Sequence, residues 1–389
     1  MRARPAVLPP PPVRPLVVVV AVAVASLVAS ALTAPPARAA SFDVEVVADG
    51  LDHPWEVAVL PTGELLVTQR DRRRLTLVDP GTRTQRDLAF PSDRVWQLGE
   101  TGLLGLAVDP AFAANRRVYT CSGWIAEDGG RDIRVNAWTL DAGLTAATLV
   151  GPLVTGIPTS RTGRHGGCRL LVARDGALLV GTGDATRSRV PQSRRSLGGK
   201  VLRLDRLTGS PDPRNPWADR RGKRRYLMTY GHRNVQGLAQ REDGTLWSVE
   251  HGTDRDDEIN LLRRGRNYGW NPGPGYDETR PMTDPRLPGR QYAARWRSGH
   301  PTIAPSGAAF VSGPGWGRLT GCLAVAVLKR QRLMFVKLDD RGRVRWTRAP
   351  RELRRYGRLR DVTATPDGAL LVTTDNGDGR DRVLRIRPS

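Results

Sequence analysis

The stretch PDGALLVT at residues 366–373 joins a tight turn to a run of apolar residues, and this arrangement decides how the chain is expected to fold. Three further copies occur, PTGELLVT at 61–68, RDGALLVG at 174–181 and EDGTLWSV at 242–249. A turn of Pro, Asp or Gly followed by a short apolar run is typical of a β-hairpin. The copies are irregularly spaced, so they indicate a repeated architecture and not a strict sequence repeat.

Short strands are expected throughout the chain, because helical periodicity is nearly absent. Further apolar segments predict strands at 73–78, 117–122, 134–140, 200–204, 323–328 and 332–338. Neither a linker nor a change of composition divides the chain, which favours one domain over residues 40–389. At roughly 40 to 60 residues per blade, the prediction is an all-β, six-bladed β-propeller of four-stranded antiparallel blades. A pair of β-sandwiches is the structural alternative.

A propeller brings loops that are distant in sequence together around a central funnel. Three long insertions, 185–199, 205–230 and 271–300, are rich in Gly, Pro and Arg. Loops of this length in a compact domain are usually functional or disordered. We therefore expect them to form the rim of the funnel.

The first 39 residues are predicted to be a secretory signal peptide. Arg2, Arg4 and Arg14 precede an uncharged apolar run at 16–32, and Ala37-Arg38-Ala39 has the small-x-small pattern of a cleavage site. Because the apolar run approaches the length of a membrane span, an uncleaved anchor is the alternative. No comparable run follows, so the mature protein is expected to be secreted or extracytoplasmic, without a stable membrane span.

The strongly basic composition raises the question of a nucleic-acid partner. The formal net charge is +22, and it falls to +18 when the four arginines of the predicted signal peptide are removed. The remaining basic residues are dispersed and mostly Arg, without a recognition helix or a zinc-ligand spacing. We therefore expect no nucleic-acid partner and assign most of the arginines to the solvated surface.

The three cysteines, Cys121, Cys168 and Cys322, lie far apart in the sequence. An exported protein folds in an oxidising compartment, so one disulfide and one free thiol are expected. Three pairings are possible, and the sequence does not choose among them. No cysteine has a metal-ligand spacing.

The segments GHRNVQGLA at 231–239 and EHGTDRDDEINLLRRGRNYGW at 250–270 carry the most informative polar groups. Arg233 and Asn234 could bind an anion, and arginine suits carboxylates because it donates in bidentate fashion. The second segment contains four crowded carboxylates, Asp254, Asp256, Asp257 and Glu258, which would repel one another without a cation. Oxygen ligands on an irregular loop favour Ca²⁺. Salt bridges to neighbouring arginines are the alternative.

A candidate base and further cations lie near the predicted strand ends. His165 is flanked by Gly163, Gly166 and Gly167, which places its imidazole on a tight turn where it could accept a proton. Asp184 follows the next strand and could orient such a base or form an Asx turn. Lys200, Lys329, Arg358 and Arg360 could converge with Arg233 on a ligand that carries several carboxylates.

Taken in order, these motifs resemble the soluble sugar dehydrogenases that depend on pyrroloquinoline quinone (PQQ), the glucose/sorbosone dehydrogenase family with its aldose sugar dehydrogenase branch. The resemblance runs over nearly the whole mature chain. Its motifs are LDHPWEVAVLPTGELLVTQR at 51–70, GETGLLGLAVDPAFAANRRVY at 99–119, HGG at 165–167, SLGGKVLRLD at 196–205, YGHRNVQGLA at 230–239, EHG at 250–252, DEINLL at 257–262, NYGW at 267–270, APSG at 304–307, VLKRQRL at 327–333 and RLRDVTATPDGALLVTTDN at 358–376.

The resemblance implies a six-bladed propeller that binds PQQ and Ca²⁺ and oxidises aldose sugars at the anomeric carbon to lactones. His165 corresponds to the family's general base, which takes a proton while a hydride passes to PQQ. The implied cofactor contacts are Glu100, Arg233, Asn234, Lys329, Arg358 and Arg360. The implied calcium ligands are the Glu258 carboxylate and the Tyr268 carbonyl. Neither the sugar nor the external electron acceptor can be predicted.

The chain departs from the family pattern at three positions beside these motifs. Thr253 and Arg255 replace the Pro and Gly that usually follow Glu-His-Gly, and Arg164 stands where Asp or Asn often precedes the catalytic His. These changes motivate an alternative, a non-catalytic secreted propeller that binds a glycan or a protein partner. A third candidate is a calcium-dependent lactone hydrolase on a similar propeller.

Overall fold

The computed structural model describes residues 41–389, together with Pro12. The predicted signal peptide at 1–39 therefore lies, apart from Pro12, outside the described residues. Within that part of the chain, none of the helices has the length and apolar character that a membrane crossing requires.

The described residues form six four-stranded antiparallel sheets, as predicted, and we number them as blades 1–6. The first strand of the chain is β1 (Phe42–Leu51). Blade 1 contains β2 (Pro54–Val59), β3 (Leu65–Gln69), β4 (Arg74–Val78) and β5 (Gln85–Asp87). Blade 2 contains β6 (Leu103–Val108), β7 (Arg117–Ile125), β8 (Arg131–Leu140) and β9 (Ala147–Ile157). Blade 3 contains β10 (Gly167–Val172), β11 (Ala177–Thr182), β12 (Lys200–Asp205) and β13 (Leu227–Tyr230).

The second half of the chain repeats the pattern. Blade 4 contains β14 (Val235–Gln240), β15 (Leu246–Glu250), β16 (Glu258–Leu262) and β17 (Trp296–Arg297). Blade 5 contains β18 (Pro305–Phe310), β19 (Leu323–Val327), β20 (Arg332–Leu338) and β21 (Val344–Arg348). Blade 6 contains β22 (Leu359–Ala364), β23 (Leu370–Thr374) and β24 (Asp381–Pro388), and β1 completes it. The helices are short: α1 (Phe112–Asn115) and four 3₁₀ turns at Ser92–Arg94, Gly222–Tyr226, Gly317–Leu319 and Arg351–Tyr356.

The four turn-and-strand copies all become the connection between the first and second strands of a blade, in blades 1, 3, 4 and 6. Their turn glycines, Gly63, Gly176, Gly244 and Gly368, have φ of +105°, +84°, +84° and +81°. A side chain is disfavoured in that conformation, so glycine permits the tight reversal. The strands that follow the turns are almost wholly buried because blades pack against both of their faces.

The ring closes through its termini and is reinforced by one disulfide. β1 pairs with β24 along its length, from Phe42 opposite Pro388 to Leu51 opposite Asp381. Cys121 on β7 and Cys168 on β10 form the disulfide and join blade 2 to blade 3. Cys322 is the free, buried thiol. These contacts resolve the pairing that the sequence left open.

Two of the three insertions lie at the end of the ring where the inner strands β2, β6, β10, β14, β18 and β22 begin, which we call the upper mouth. Insertion 185–199 follows β11, and Tyr276 of insertion 271–300 contacts His165. Insertion 205–230 begins at the opposite end, because Asp205 pairs with Ala177 at the turn end of β11. The expectation that all three rim the same funnel was therefore wrong for 205–230.

Candidate functional site

Most of the predicted ligand-site residues lie at the upper mouth because they come just before or at the start of an inner strand. Glu100 precedes β6, His165 precedes β10, Arg233 and Asn234 precede β14, and Arg358 precedes β22. Lys329 follows β19 and reaches the same end, since Val327 pairs with Pro305 at the start of β18. Side chains from five blades are thus placed around one opening.

His165 is held by its backbone and by one ring nitrogen. Its φ is +57°, an uncommon value for a non-glycine residue that often marks a functional site. The backbone N–H donates to Oε2 of Glu100 at 2.9 Å, and Nδ1 lies 2.9 Å from Oδ1 of Asp184. A carboxylate partner places the proton on Nδ1 and leaves the lone pair on Nε2. Within residues 41–389, Nε2 has no hydrogen-bond partner.

Asp184 is completely buried and organises the groups around the imidazole. Its Oδ2 accepts hydrogen bonds from Nε1 of Trp270 and from the hydroxyl of Tyr276, both at 2.7 Å. The Tyr276 oxygen also lies 2.9 Å from Nδ1 of His165. Burial and the Asp184 charge hold the pKa of Tyr276 far above its usual range, so the phenol stays protonated and donates.

The predicted cations of blade 6 are joined to blade 4 by a hydrogen-bonded chain. Nη2 of Arg360 lies 2.8 Å from Oδ2 of Asp375, and Nη1 donates to Oε1 of Gln236 at 3.1 Å. Nε2 of Gln236 in turn donates to Oδ1 of Asn234 at 3.2 Å. Nε of Arg358 donates to the Asp375 carbonyl at 3.0 Å. Arg358, Arg360 and Asn234 are therefore brought together, as the sequence indicated.

Arg233 approaches this buried hydrogen-bonded network, which we call the floor of the site, from blade 4. Its guanidinium pairs with the Glu278 carboxylate and lies 5.7 Å from the centre of the Trp270 ring. Lys329 is exposed at the rim, with Nζ 3.3 Å from Oγ1 of Thr302. The structure thus places Lys329 at the same mouth but at a greater distance from the buried network.

Several buried donors at this floor have no hydrogen-bond partner in the described part of the chain: Nε of Arg233, Nδ2 of Asn234, Nε2 of His251 and Nε of Arg360. Leaving such groups unsatisfied costs about 1–3 kcal/mol each, so their clustering indicates a ligand-binding site. Burial lowers the pKa of His251 to about 4, so this imidazole is neutral. Burial opposes the change, but the backbone N–H of His165 at 2.9 Å and the positive charge of Arg360 help to lower the pKa of Glu100.

The four crowded carboxylates do not converge as expected. Asp254 is exposed and pairs with Arg255, whereas Asp257 is buried and accepts the N–H groups of Ile303 and Ala304 at 2.6 and 2.9 Å. Among the described residues, no three side chains of His, Cys, Asp or Glu form a group that could hold a metal ion. Asp257 instead fixes the loop before β18, and Glu258 is left as the candidate carboxylate.

Glu258 is buried beside Glu250 at the start of β16. Burial and the Glu250 charge raise the pKa of Glu258 to about 8. Its Oε1 has no hydrogen-bond partner in residues 41–389 but lies 3.4 Å from Nε of Arg297. Nη2 of Arg297 donates to Oγ1 of Thr283 at 3.0 Å, and that hydroxyl donates to the Tyr268 carbonyl at 3.4 Å. A guanidinium therefore links the two predicted calcium ligands.

The residues that depart from the family pattern line the rim. The side chain of Arg255 is 58% exposed, and Nη2 of Arg164 lies 3.5 Å from the Glu278 carboxylate. Both arginines line a cavity of about 470 Å³ together with Arg233, Thr253 and Glu278. Arg255 is therefore an exposed wall of the cavity that Arg233 also lines.

Lys200 does not belong to the ligand site, although the sequence grouped it with the other cations. It is buried, and Nζ donates to the carbonyls of Val190, Pro191 and Gly198 at 2.8, 2.9 and 2.5 Å. These bonds fix insertion 185–199 beneath the mouth. Its role is structural.

Sequence reasoning missed four contributors to the site. Tyr276 and Glu278 lie in insertion 271–300, where no motif marked them, and Trp270 was part of the NYGW motif without an assigned role. His251 was visible in Glu-His-Gly but had no local feature that distinguished it from the other histidines. Only the structure distinguishes His251, because its buried Nε2 has no hydrogen-bond partner among the described residues.

Comparison with known proteins gives consistent matches along the chain. The family model described as Glucose / Sorbosone dehydrogenase matches residues 51–385. The aldose sugar dehydrogenase YliI of Escherichia coli K12 is 31% identical over 372 residues, which cover 92% of this chain and 95% of that protein.

Solved structures agree with these matches. The PQQ-bound form of aldose sugar dehydrogenase from Streptomyces coelicolor is 31% identical, with a TM-score of 0.73, over 91% of this chain and 100% of that one. The apo form of the soluble aldose sugar dehydrogenase from Escherichia coli is 29% identical, with a TM-score of 0.80, over 90% and 100%. With its six-bladed fold and a family match that spans almost all described residues, the chain belongs to the glucose/sorbosone dehydrogenase family.

Proposed function

We propose that this protein is a PQQ-dependent sugar dehydrogenase that oxidises aldoses at the anomeric carbon to lactones. Its family is one of sugar dehydrogenases, and a relative of similar length has been solved with PQQ bound. The observation that carries the proposal is the group of buried, unpartnered donors on Arg233, Asn234, His251 and Arg360 beside the His165–Asp184 pair.

The donor set fits the cofactor. PQQ is a flat ortho-quinone with three carboxylates, and arginine and amide donors complement those groups. We assign its binding to Arg233, Asn234, Arg360 and Arg358 on the floor, with Lys329 and Glu100 at the edge. Bound PQQ supplies the hydride acceptor. Cations close to the quinone oxygens stabilise the negative charge that a hydride brings.

His165 is the proposed general base. With the proton fixed on Nδ1 by Asp184, Nε2 is free to remove the proton from the anomeric hydroxyl. The Asp184 carboxylate then stabilises the imidazolium, while Trp270 and Tyr276 keep that carboxylate oriented.

Calcium is not part of this proposal. The two predicted ligands, the Glu258 carboxylate and the Tyr268 carbonyl, are linked by the Arg297 guanidinium through Thr283, which fits a bound cation poorly. No step of the reaction is assigned to a metal.

The proposed setting is extracytoplasmic, with the 1–39 segment removed as a signal peptide and residues 40–389 as the single catalytic domain. The partners are an aldose sugar and an external electron acceptor. The alternative of a non-catalytic propeller rests on the altered turn at Thr253 and Arg255. Arg255 is exposed and paired with Asp254, although it lines the same cavity as Arg233.

The test is to titrate the purified apo-protein with PQQ and then to measure dye reduction and lactone formation with a panel of aldoses. We expect saturable PQQ binding and sugar-dependent dye reduction. His165→Ala should keep PQQ binding and lose turnover by at least 100-fold, as loss of a general base does. His300→Ala is the matched control, because that imidazole is 65% exposed at the rim.

The other outcomes identify the other functions. Absence of PQQ binding would support the non-catalytic propeller, and hydrolysis of lactones without quinone would support the lactone hydrolase. Unchanged turnover in His165→Ala would reject the assigned base.

A further inference from the structure

We propose that Arg297 is a built-in substitute for a metal ion in this chain. Its guanidinium supplies the positive charge between the Glu258 carboxylate and the Tyr268 carbonyl, so that blade 4 is stabilised without calcium. The inference concerns the structural cation and stands apart from the assignment of the reaction.

The first observation is the imbalance of charge in the interior of blade 4. Glu250 and Glu258 face each other on β15 and β16 and are both buried. Glu250 is satisfied, since its carboxylate receives Nδ1 of His232 at 2.8 Å, Nδ2 of Asn260 at 2.8 Å and the N–H of Arg233 at 2.9 Å. Glu258 receives only one amide of Asn260, at 3.3 Å, and depends on another positive group. A buried carboxylate without such a partner is costly.

The second observation is that Arg297 makes contacts in two directions. Nε lies 3.4 Å from Oε1 of Glu258, and Nη2 donates to Oγ1 of Thr283 at 3.0 Å. The Thr283 hydroxyl in turn donates a hydrogen bond to the Tyr268 carbonyl at 3.4 Å. The Arg297 side chain thus connects β16 and β17 and, through Thr283, the segment at 267–270.

The third observation is the close packing that brings these groups together. Arg297 sits opposite Glu258 in the register of β16 and β17. Gly269 has φ of +91°, and a Cβ there would lie 2.9 Å from Cα of Thr283. The glycine therefore allows the Tyr268 carbonyl and Thr283 to approach each other. A planar, permanently charged guanidinium with several donors suits such an arrangement better than lysine would.

Calcium needs six to eight oxygen ligands, which here would be the Glu258 carboxylate, the Tyr268 carbonyl and water. With Arg297 present, a divalent ion beside Glu258 would also meet a like charge. Removing the guanidinium should expose the Glu258 carboxylate and the Tyr268 carbonyl, and water could complete the shell.

The experiment is done at pH 9, where the Glu258 carboxylate is ionised. It compares thermal unfolding of the full chain in calcium and in EDTA, together with equilibrium dialysis of calcium, for the native protein, Arg297→Ala and Arg295→Ala. Arg295 is the matched control, because it is exposed just before the same strand and, within residues 41–389, its side chain makes no hydrogen bond while its backbone N–H bonds to Ile259. We expect the native protein and Arg295→Ala to bind no calcium and to have the same Tm in both buffers. Arg297→Ala should unfold at a lower Tm in EDTA, bind one calcium and regain about 2 °C or more in calcium.

Calcium binding by the native protein, with a matching rise in Tm, would overturn the proposal. So would an Arg297→Ala variant that neither loses stability in EDTA nor binds calcium. If Arg297→Ala does not fold, Arg297→Lys keeps the test decisive. The shorter reach of its single ammonium should lower Tm in both buffers under the proposal, whereas a surface role would leave Tm unchanged.

Discussion

At the residue scale, the side chain that most directly controls the proposed base is Asp184. We predict that Asp184→Asn lowers kcat by about 100-fold to 10,000-fold, because an amide can favour the wrong tautomer of His165 and cannot stabilise the imidazolium. PQQ binding should change little, since Asp184 faces the imidazole, Trp270 and Tyr276. Asp219→Asn, at a 72% exposed position, is the control.

Steady-state rates and their pH profiles check this role. A positioning role requires the profile of Asp184→Asn to shift relative to that of the native enzyme, as the imidazole loses its anionic partner. A variant with full kcat and an unchanged profile would refute it.

The gathering of His165 and the cations at one mouth could be predicted because each one sits in a short motif at a strand end. His165 lies in HGG and Arg358 in RLRD, and the fold carries both to the upper mouth. Tyr276 could not be predicted, because it is 111 residues from His165 and its neighbours have no motif. Only the path of the chain through insertion 271–300 creates that contact.

At the element scale, insertion 271–300 contacts the proposed ligand site through Tyr276 and Glu278. The Glu278 carboxylate pairs with the Arg233 guanidinium, to which a cofactor carboxylate is proposed to bind. We predict that Glu278→Gln tightens PQQ binding by about twofold to tenfold, because the internal competitor for Arg233 is removed and the pair is partly exposed. Asp277→Asn is the control, since that carboxylate contacts Thr279 and Arg280 instead.

Titration of both variants with PQQ measures the effect. Weaker binding by Glu278→Gln would mean that the carboxylate helps to hold the cofactor by orienting Arg233, and the competition argument would fail.

The elements themselves were more predictable than the loops. The four turn-and-strand copies became equivalent parts of four blades because Gly63 and its counterparts impose the same reversal. The direction in which a long insertion leaves its blade depends on the strand before it. β11 ends at the upper mouth and β12 ends at the opposite side, and this difference separated insertion 205–230 from the other two.

At the scale of the whole molecule, closure and the central channel depend on contacts that span most of the chain. The six-bladed ring could be predicted from length and hairpin content, but the pairing of β1 with β24 could not, because no local pattern encodes a partner more than 300 residues away. The same holds for the buried cluster of Glu56, Arg169 and Asp361, which lines a central cavity of about 910 Å³. There, Nη1 of Arg169 lies 2.9 Å from Glu56 and 2.7 Å from Asp361.

The cluster of Glu56, Arg169 and Asp361 also predicts how the free energy of unfolding changes with pH. One guanidinium faces two buried carboxylates, and burial raises the pKa of Glu56 to about 8. The folded state therefore holds a proton that the unfolded chain releases near pH 4.5. Between these values the folded state binds more protons, so the contribution of Glu56 to the free energy of unfolding is full in acid and is lost as pH rises towards 8.

Glu56→Gln should remove that decline, because a neutral amide imitates the protonated acid at every pH. Relative to the native protein, the variant should gain stability from pH 5 to pH 8 by at most about 1.4 kcal/mol per pH unit. Urea unfolding at a series of pH values measures the difference. The control is Glu242→Gln, an exposed carboxylate that lines the same central cavity as Glu56, and its curve should run parallel to the native one. A parallel curve for Glu56→Gln as well would show that Arg169 keeps both carboxylates ionised in the folded protein.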